Sequence, residues 1–161
     1  MKTPQPNSRH CFVCGVENPR GLHLRFYESG PGEVIAECTV PPEYQGYPGV
    51  VHGGIIAAML DEVAGRVHMG DSQTPRFMFT AKLDIRYRKN VPVGQPLRLV
   101  GKAGPTKRRS ASASSAIYDQ NGTLLAEADA LLVNVPEGAY SNIDLGEIGW
   151  KVYPDRGENN P

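Results

Sequence analysis

A His-Gly-Gly triplet at residues 52–54 and a carboxylate at Asp61 are the parts of this chain best suited to chemistry. Glycine lets a backbone approach a ligand without a Cβ in the way. If a helix starts at the triplet, the unpaired N–H groups of its first turn carry the positive end of the helix dipole. Such groups stabilise an oxyanion developing on a carbonyl. Asp61, two turns further on, is the candidate general base.

The residues after the triplet predict the helix that would carry these groups, over roughly residues 53–69. Apolar side chains recur with the helical period and would pack on a sheet. They are Ile56, Met59, Leu60, Val63 and Val67. The opposite face is small and polar, and it consists of Gly54, Ala58, Asp61, Gly65 and His68. Such a face indicates close packing against another element, whereas the plainer alternative is an amphipathic helix with Asp61 in solvent.

The two candidate groups cannot meet within one helix. At a rise of ~1.5 Å per residue, Gly54 and Asp61 lie roughly 10 Å apart along the axis, too far to act on one carbonyl. Two copies packed antiparallel about a two-fold axis would bring the helix start of one subunit to Asp61 of its partner. The sequence therefore predicts an obligate homodimer with shared active sites, and leaves open whether two dimers pair into a homotetramer.

Composition narrows the functional class. The 161 residues suit one domain, and 17 basic residues balance 17 acidic ones, so no global charge attracts nucleic acid or an anionic membrane. No apolar stretch approaches the ~18 residues of a membrane span, and the N-terminus lacks the apolar region of a secretion signal. We expect a cytoplasmic protein without nucleic-acid or membrane partners, and no cofactor is predicted.

Three cysteines are an odd number, unsuited to a disulfide framework. Cys11 and Cys14 have the CxxC spacing of half a zinc site, with His10 and His23 nearby. The second half is not evident, because Cys38 lies in a predicted strand. The interpretations are a reduced CxxCG turn, which we favour, structural zinc, a redox pair, or two copies meeting at a dimer axis. No metal is predicted, and Cys11 and Cys14 are the candidates for one.

The other segments alternate like strands. Strands are predicted at residues 22–27, 33–40, 77–87, 97–102, 109–118 and 123–135. Residues 1–10 are expected to fray, and residues 148–153 are apolar enough to dock on the body. The order describes an α+β hotdog fold, in which an antiparallel sheet of five to six strands wraps one long central helix. The chain divides into an N-terminal arm with the CxxC turn (1–20), the hotdog domain (21–135) and a C-terminal tail (136–161).

Residues 11–135 resemble the hotdog-fold acyl-CoA thioesterases of the PaaI-like group. The most specific matches are Gly49-Val50-Val51-His52-Gly53-Gly54, Asp61 nine residues after the histidine, and the strand from Phe79 to Tyr87. The resemblance implies an enzyme that hydrolyses an acyl-CoA thioester to a free carboxylic acid and CoA.

The resemblance also implies the catalytic roles. Asp61 takes the place of the family's general base or nucleophile, and the Gly54 N–H, with that of Gly53, takes the place of the oxyanion donor. Glu62 is the rival base, but it points about a third of a turn away from Asp61.

Three further positions are matched less simply. His52 matches the histidine of the motif, either as a catalytic or as an orienting group, and Thr80 matches the Ser/Thr that orients the water. Many members have Asn where this chain has Gly46, so the neighbouring Gln45 is the candidate substrate-binding replacement.

Binding the phosphates of CoA would require cationic side chains nearby. Arg108 and Arg109 open one predicted strand and Arg86 ends another, and these three are the candidate contacts, with a solvated surface as the alternative. The acyl group would enter between two subunits. The side chains predicted to line its pocket are Met59, Tyr47, Phe77 and Phe79.

Two other functions suit the same fold. One is non-catalytic acyl-CoA binding or sensing, against which Asp61 and the lack of an upstream helix-turn-helix argue. The other is an enoyl-CoA hydratase or dehydratase, which needs a histidine paired with an acid in a different arrangement.

Overall fold

The computed structural model describes residues 2–136, 138–139 and 143–154. Its elements are β1 Thr3–Pro4, β2 Tyr27–Gly30, β3 Glu33–Thr39, a 3-10 helix Pro42–Tyr44, α1 Gly53–Arg66, β4 Met78–Tyr87, β5 Pro96–Thr106, β6 Ser110–Asp119 and β7 Leu124–Asn134. Of the predicted tail, residues 137, 140–142 and 155–161 lie outside the described residues. The described part of the chain contains no helix with the length and hydrophobicity that crossing a membrane requires.

The strands form one antiparallel sheet in the order β1-β2-β3-β5-β6-β7-β4, and α1 packs against one face of it. The predicted α+β class, with an antiparallel sheet around one long central helix, is confirmed, although the sheet has seven strands rather than five or six. β4 pairs with β7 and lies at the end of the sheet, so its other edge carries no strand among the described residues.

The apolar face of α1 packs on the sheet as its periodicity predicts. Met59, Leu60 and Val63 are fully buried in a core that also contains Leu99 of β5. Helix and sheet approach closely at Gly101, where a Cβ would lie 2.5 Å from the carbonyl oxygen of Val63. A side chain at residue 101 would push the helix away, so this glycine sets the depth at which α1 lies.

The N-terminal segment is ordered, and the expectation that residues 1–10 fray is wrong. Thr3–Pro4 pairs with β2. Asn7 is buried, and its side-chain amide donates to the carbonyl oxygens of Cys14 and Leu24 at 2.7 and 2.8 Å. A buried amide with both donors used costs little desolvation and fixes two distant stretches of backbone.

Element boundaries differ from prediction at three places. The strand expected at residues 22–27 is replaced by isolated contacts with the CxxC turn, such as Leu22 N–H to the Phe12 carbonyl at 2.8 Å, and β2 begins only at Tyr27. The helix ends at Arg66 rather than residue 69. β5 extends to Thr106, beyond the predicted end at residue 102.

The docking of residues 148–153 is confirmed. Lys151 forms an isolated antiparallel bridge with Asn7. Trp150 packs edge-on against Phe77, with 5.4 Å between ring centroids. The tail and the N-terminal segment therefore close over the same end of the domain.

Candidate active site

The helix start is held by its own histidine. His52 lies at the N-cap of α1, where its Nδ1 accepts a hydrogen bond from the Gly54 N–H at 2.9 Å. Its backbone N–H donates to the Tyr44 carbonyl at 2.9 Å, which fixes the loop that leads into the helix. His52 therefore acts as an orienting cap, and the Gly54 N–H assigned to the oxyanion already has an intramolecular partner.

The backbone N–H of Gly53, also at the start of α1, is more accessible than that of Gly54. No described residue accepts a hydrogen bond from its N–H. Its carbonyl accepts one from the Tyr87 hydroxyl at 2.9 Å, so the far end of β4 holds the helix start in position. This role of Tyr87 was not predicted, since nothing in a strand sequence indicates which carbonyl a tyrosine at its end will reach.

Gln45 stabilises the loop before the helix. Its Oε1 accepts a hydrogen bond from the Gly49 N–H at 3.1 Å, and its backbone forms an isolated bridge with Val51. The Gln45 side chain is exposed at the mouth of this loop.

The structure brings Asp61 and Thr80 together. Thr80 Oγ1 donates to Asp61 Oδ1 at 2.6 Å, which links the middle of α1 to the start of β4. This hydrogen bond orients the carboxylate, and Asp61 Oδ2 has no donor among the described residues. An oriented, half-buried carboxylate with one oxygen available is the arrangement that a general base requires.

A β-bulge is what turns Thr80 towards the helix. The β4–β7 register shifts between Thr80 and Lys82: Thr80 lies opposite Leu132, which is fully buried, whereas Lys82 lies opposite Leu131, which is exposed. Regular alternation would place Thr80 and Lys82 on the same face. The extra residue, Ala81, shifts the alternation, so Thr80 faces α1 and Lys82 faces solvent.

Glu62, the rival base, is directed elsewhere. Its Oε1 pairs with the buried Arg66 guanidinium, 2.8 Å from Nη2 and 2.9 Å from Nε. Its Oε2 lies 4.0 Å from the Cys11 sulfur. Both Glu62 carboxylate oxygens are therefore directed towards Arg66 and Cys11.

Cys11 and Cys14 face each other beside Glu62. The Cys14 thiol donates a hydrogen bond to the Cys11 sulfur, and this is the main reason why the pKa of Cys11 is lowered to about 6, against burial and the Glu62 charge, which raise it. The same hydrogen bond, followed by burial, raises the pKa of Cys14. The CxxC spacing indicates the cysteine pair but not its neighbour Glu62, which is 48 residues further along the chain than Cys14.

The three candidate arginines lie in two different settings. Arg86 lies 3.6 Å from Asp129 and 4.0 Å from Glu127, on the sheet face that points away from α1. Arg108 and Arg109 are exposed in the β5–β6 turn and have no ion-pair partner among the described residues. Because β6 is two strands from β4 and strands lie ~4.8 Å apart, this turn is about 10 Å across the sheet from the β4 start.

The aromatic residues predicted to line a pocket are divided by the structure. Tyr47 is 84% exposed in the loop before α1, and Phe79 is 45% exposed near the start of β4. Phe77 packs on Trp150. Met59 is wholly buried in the core, so its predicted place in the pocket is wrong. Met59 follows the apolar period of α1 and faces the sheet, away from Asp61.

The small-residue face of α1 is open in the single chain. Gly54 is exposed, and Ala58, Asp61 and Gly65 are only partly buried. A Cβ added at Gly65 would meet no atom within 4 Å. This open face lies beside the edge of β4, which carries no strand among the described residues.

Residues 48–126 match the family model of the thioesterase superfamily. The matched segment contains the helix start, Asp61 and Thr80. This segment is a thioesterase-superfamily domain. The resemblance inferred from the His-Gly-Gly motif is thus confirmed.

Similar proteins agree with the family match. The acyl-coenzyme A thioesterase THEM4 of Xenopus laevis is 27% identical over 116 residues, which are 70% of this chain and 50% of that protein. The chain spans about half the length of the curated relatives it matches.

Solved structures of the family share the fold. The thioesterase superfamily protein RHA08564 superposes with a TM-score of 0.70 at 31% identity, over 78% of this chain and 63% of that one. A thioesterase superfamily protein from Shewanella loihica PV-4 superposes with a TM-score of 0.59 at 29% identity, over 70% of this chain and 91% of that one. The hotdog fold is therefore confirmed.

Gly53→Pro tests the open N–H. Proline removes this single donor at the first helical position, where it is well tolerated, and His52 already has a ψ of 136° that suits a following proline. If Gly53 is an oxyanion donor, kcat for thioester hydrolysis falls by about 10²–10³-fold. Gly53→Ala, which keeps the N–H and whose Cβ would lie 3.6 Å from the Tyr87 hydroxyl, is the matched control. Equal kcat values for the two variants would exclude Gly53 as a donor.

Proposed function

We propose that this chain is an acyl-CoA thioesterase in which Asp61 is the general base and the helix start at Gly53 and Gly54 is the oxyanion hole, with the open Gly53 N–H as its donor because His52 already holds the Gly54 N–H. The observation that carries the proposal is the hydrogen bond from Thr80 to Asp61, which orients a carboxylate on the open face of α1. The superfamily match, and relatives that are named acyl-coenzyme A thioesterases, support the reaction class.

The proposed chemistry is a hydrolysis in two steps. Asp61 Oδ2 takes a proton from water as the water oxygen attacks the thioester carbonyl, and the carbonyl electrons move onto its oxygen. The first-turn N–H groups of α1 stabilise that oxyanion. The C–O double bond then re-forms, the C–S bond breaks, and the CoA thiolate leaves and takes the proton held by Asp61, which restores the carboxylate. The products are a carboxylic acid and free CoA.

The active site is proposed to be shared between two copies of the chain. Gly54 and Asp61 lie on one helix, roughly 10 Å apart along its axis, so one chain cannot offer both to one carbonyl. The open face of α1 and the edge of β4 lie on one side of the domain, where Thr80 and the exposed Tyr87 of β4 donate hydrogen bonds to Asp61 and Gly53 of α1. A second copy packed there about a two-fold axis would cover all of them and would complete two sites.

Thiol release from acyl-CoAs is the direct test of the reaction. The protein is assayed with short, medium, long and aromatic acyl-CoAs, and the free thiol is measured. We expect steady turnover with at least one acyl class. If acyl-CoAs bind but none is cleaved, the hydrolase proposal fails and a binding protein replaces it. Hydration of an enoyl-CoA without thiol release would identify a hydratase.

Arg108 and Arg109 are proposed to contact the CoA phosphates, because both are exposed and neither is neutralised by a described acid. Replacing both with Ala is expected to raise KM for acyl-CoA about tenfold with little change in kcat, since a hydrogen bond to a charged group is worth roughly 1.5–3 kcal/mol before screening. An acyl-pantetheine thioester, which lacks these phosphates, should show no change.

The control is Arg98→Ala, compared with Arg108→Ala alone so that each variant removes one positive charge; Arg98 lies near the opposite end of β5. A similar rise in KM for Arg98→Ala, or for the pantetheine substrate, would argue against a phosphate contact. A rise in KM for Arg86→Ala alone would move the contact to Arg86.

A further inference from the structure

Three metal-binding side chains converge outside the proposed active site. The sulfurs of Cys11 and Cys14 and a carboxylate oxygen of Glu62 all lie within 4.8 Å of one another. Cys14 is 2% exposed, and Glu62 keeps 23% of its side-chain exposure. Glu62 supplies the third ligand that the spacing of the CxxC motif did not reveal.

The turn that carries the two cysteines is built independently of their sulfurs. The Gly15 N–H donates to the Cys11 carbonyl at 2.8 Å, and a Cβ at Gly15 would lie 2.3 Å from that oxygen, so the turn requires glycine. The buried Asn7 amide holds the Cys14 carbonyl at 2.7 Å. Both sulfurs are therefore positioned before any ion binds, which reduces the conformational entropy lost on binding.

Groups around the cluster support the ligand atoms. The Cys14 N–H donates to the Cys11 sulfur at 3.5 Å, and the Ser8 hydroxyl lies 3.7 Å from the Cys14 sulfur. Arg66 holds Glu62 Oε1 and is itself fixed by the Pro6 carbonyl at 2.9 Å. This leaves Glu62 Oε2 turned towards Cys11. Outer hydrogen bonds of this kind orient metal ligands in characterised sites.

We propose that Cys11, Cys14 and Glu62 bind one Zn²⁺ ion, with a water molecule at the fourth position. Thiolate sulfurs favour zinc over harder cations, and zinc accepts a tetrahedral set of sulfur and carboxylate ligands. Charge also balances: two thiolates and Glu62 carry three negative charges, Arg66 supplies one positive charge, and a divalent cation supplies the other two. A disulfide between the cysteines would leave Glu62 Oε2 facing a neutral sulfur.

The ion would tie the N-terminal segment to α1. Glu62 follows Asp61 directly, so the cross-link would lie on the helix turn that carries the candidate base, on a different face. The proposal does not depend on the thioesterase reaction, and a failure of either leaves the other intact.

Metal analysis tests the site directly. The full chain is reduced, stripped with a chelator, reloaded with Zn²⁺ or Co²⁺, and freed of excess ion. We expect about one Zn²⁺ per chain, and thiolate-to-cobalt charge-transfer absorption with Co²⁺. Cys11→Ser and Cys14→Ser should each weaken Zn²⁺ affinity at least about tenfold. Cys38→Ser, which removes a cysteine in β3 outside the cluster, should bind as the native protein does.

Glu62→Gln distinguishes a three-ligand site from a bare dithiol. We expect weaker Zn²⁺ binding with the thiolate–cobalt absorption retained. Because Glu62 also neutralises the buried Arg66, this variant can fail to fold; the decisive measurement is then the rise in Tm on adding Zn²⁺, present in the native protein and Cys38→Ser and absent in Cys14→Ser. No bound Zn²⁺ in the reduced native protein, or equal affinity in Cys14→Ser, would overturn the proposal. Zn²⁺ bound as tightly by Glu62→Gln would remove Glu62 from the site.

Discussion

Asp61→Asn is expected to lower kcat for acyl-CoA hydrolysis by about 10²–10⁴-fold, the range that a positioned general base contributes. The substitution keeps the size of the side chain, and the Asn oxygen can still accept the hydrogen bond from Thr80, which is 2.6 Å long in the native chain. What is lost is the ability to take a proton from water. Substrate binding should change little, so KM should remain near its native value.

Thr80→Val is the matched partner of this variant. It keeps the β-branched shape of Thr80 but removes the donor that orients Asp61, so we expect a smaller fall in kcat than for Asp61→Asn. Far-UV circular dichroism and Tm establish that both variants fold. Native kcat in Asp61→Asn would rule out Asp61 as the base. An unchanged kcat in Thr80→Val would limit Thr80 to a structural role.

A single turnover in H₂¹⁸O distinguishes a base from a nucleophile. If Asp61 activates water, the label enters the acid product and not the protein. If Asp61 attacks the carbonyl, hydrolysis of the resulting anhydride can leave ¹⁸O in the Asp61 carboxylate, which mass spectrometry of the peptide would detect.

Gly65→Trp is expected to convert the proposed dimer to monomer and to reduce thiol release by at least about 10²-fold, because each shared site would lose its oxyanion donors. In the single chain a Cβ at Gly65 meets nothing within 4 Å, so the fold itself should accept the side chain. In the proposed dimer the same face packs against the partner. Light scattering after size-exclusion chromatography measures the mass, and thiol release measures the activity.

Gly30→Trp is the matched control for this variant. Gly30 also has open space around it, but it lies in β2, at the other side of the sheet from β4. It should remain dimeric and active. A monomeric native protein with full activity, or a dimeric and fully active Gly65→Trp, would contradict a shared site on this face.

Mixing two inactive variants tests the shared site more directly. Asp61→Asn and Gly53→Pro chains, unfolded and refolded together, would form heterodimers in which one of two sites combines an intact helix start with an intact Asp61. Random pairing would restore about a quarter of native activity. No recovery, in a mixture shown to contain heterodimers, would place both groups of each site on one chain.

The helix, the site motif and the positions of most strands followed from the sequence because each is a local property. The apolar period from Ile56 to Val63 predicts which face of α1 is buried, and those side chains are buried. The glycines before that face mark the helix start, and β3, β4, β6 and β7 lie close to their predicted positions. Asp61 and Thr80 were both named as site residues: the helix pattern itself indicated Asp61 as a base, whereas Thr80 was given a role only by the resemblance.

Predictions from the local sequence pattern were incomplete or wrong where a residue's contact partner is distant in sequence. The N-terminal segment was expected to fray because short polar stretches have no intrinsic order, yet Asn7 is buried against Cys14 and Leu24. Glu62 joins Cys11 and Cys14 only because the N-terminal segment crosses α1. Nothing in the spacing of these residues indicates that crossing.

Tertiary structure alone decided the detailed geometry of the candidate site. Strict alternation would turn Thr80 towards solvent with Lys82, and the bulge at Ala81 reverses this by changing the register against β7. The Gly54 N–H is satisfied by His52, which leaves the Gly53 N–H as the open donor. Periodicity specifies which face of an element is apolar. Register shifts and hydrogen-bond partners depend instead on which strand or capping residue lies next to a given residue in the folded chain. Packing over the whole domain determines those neighbours.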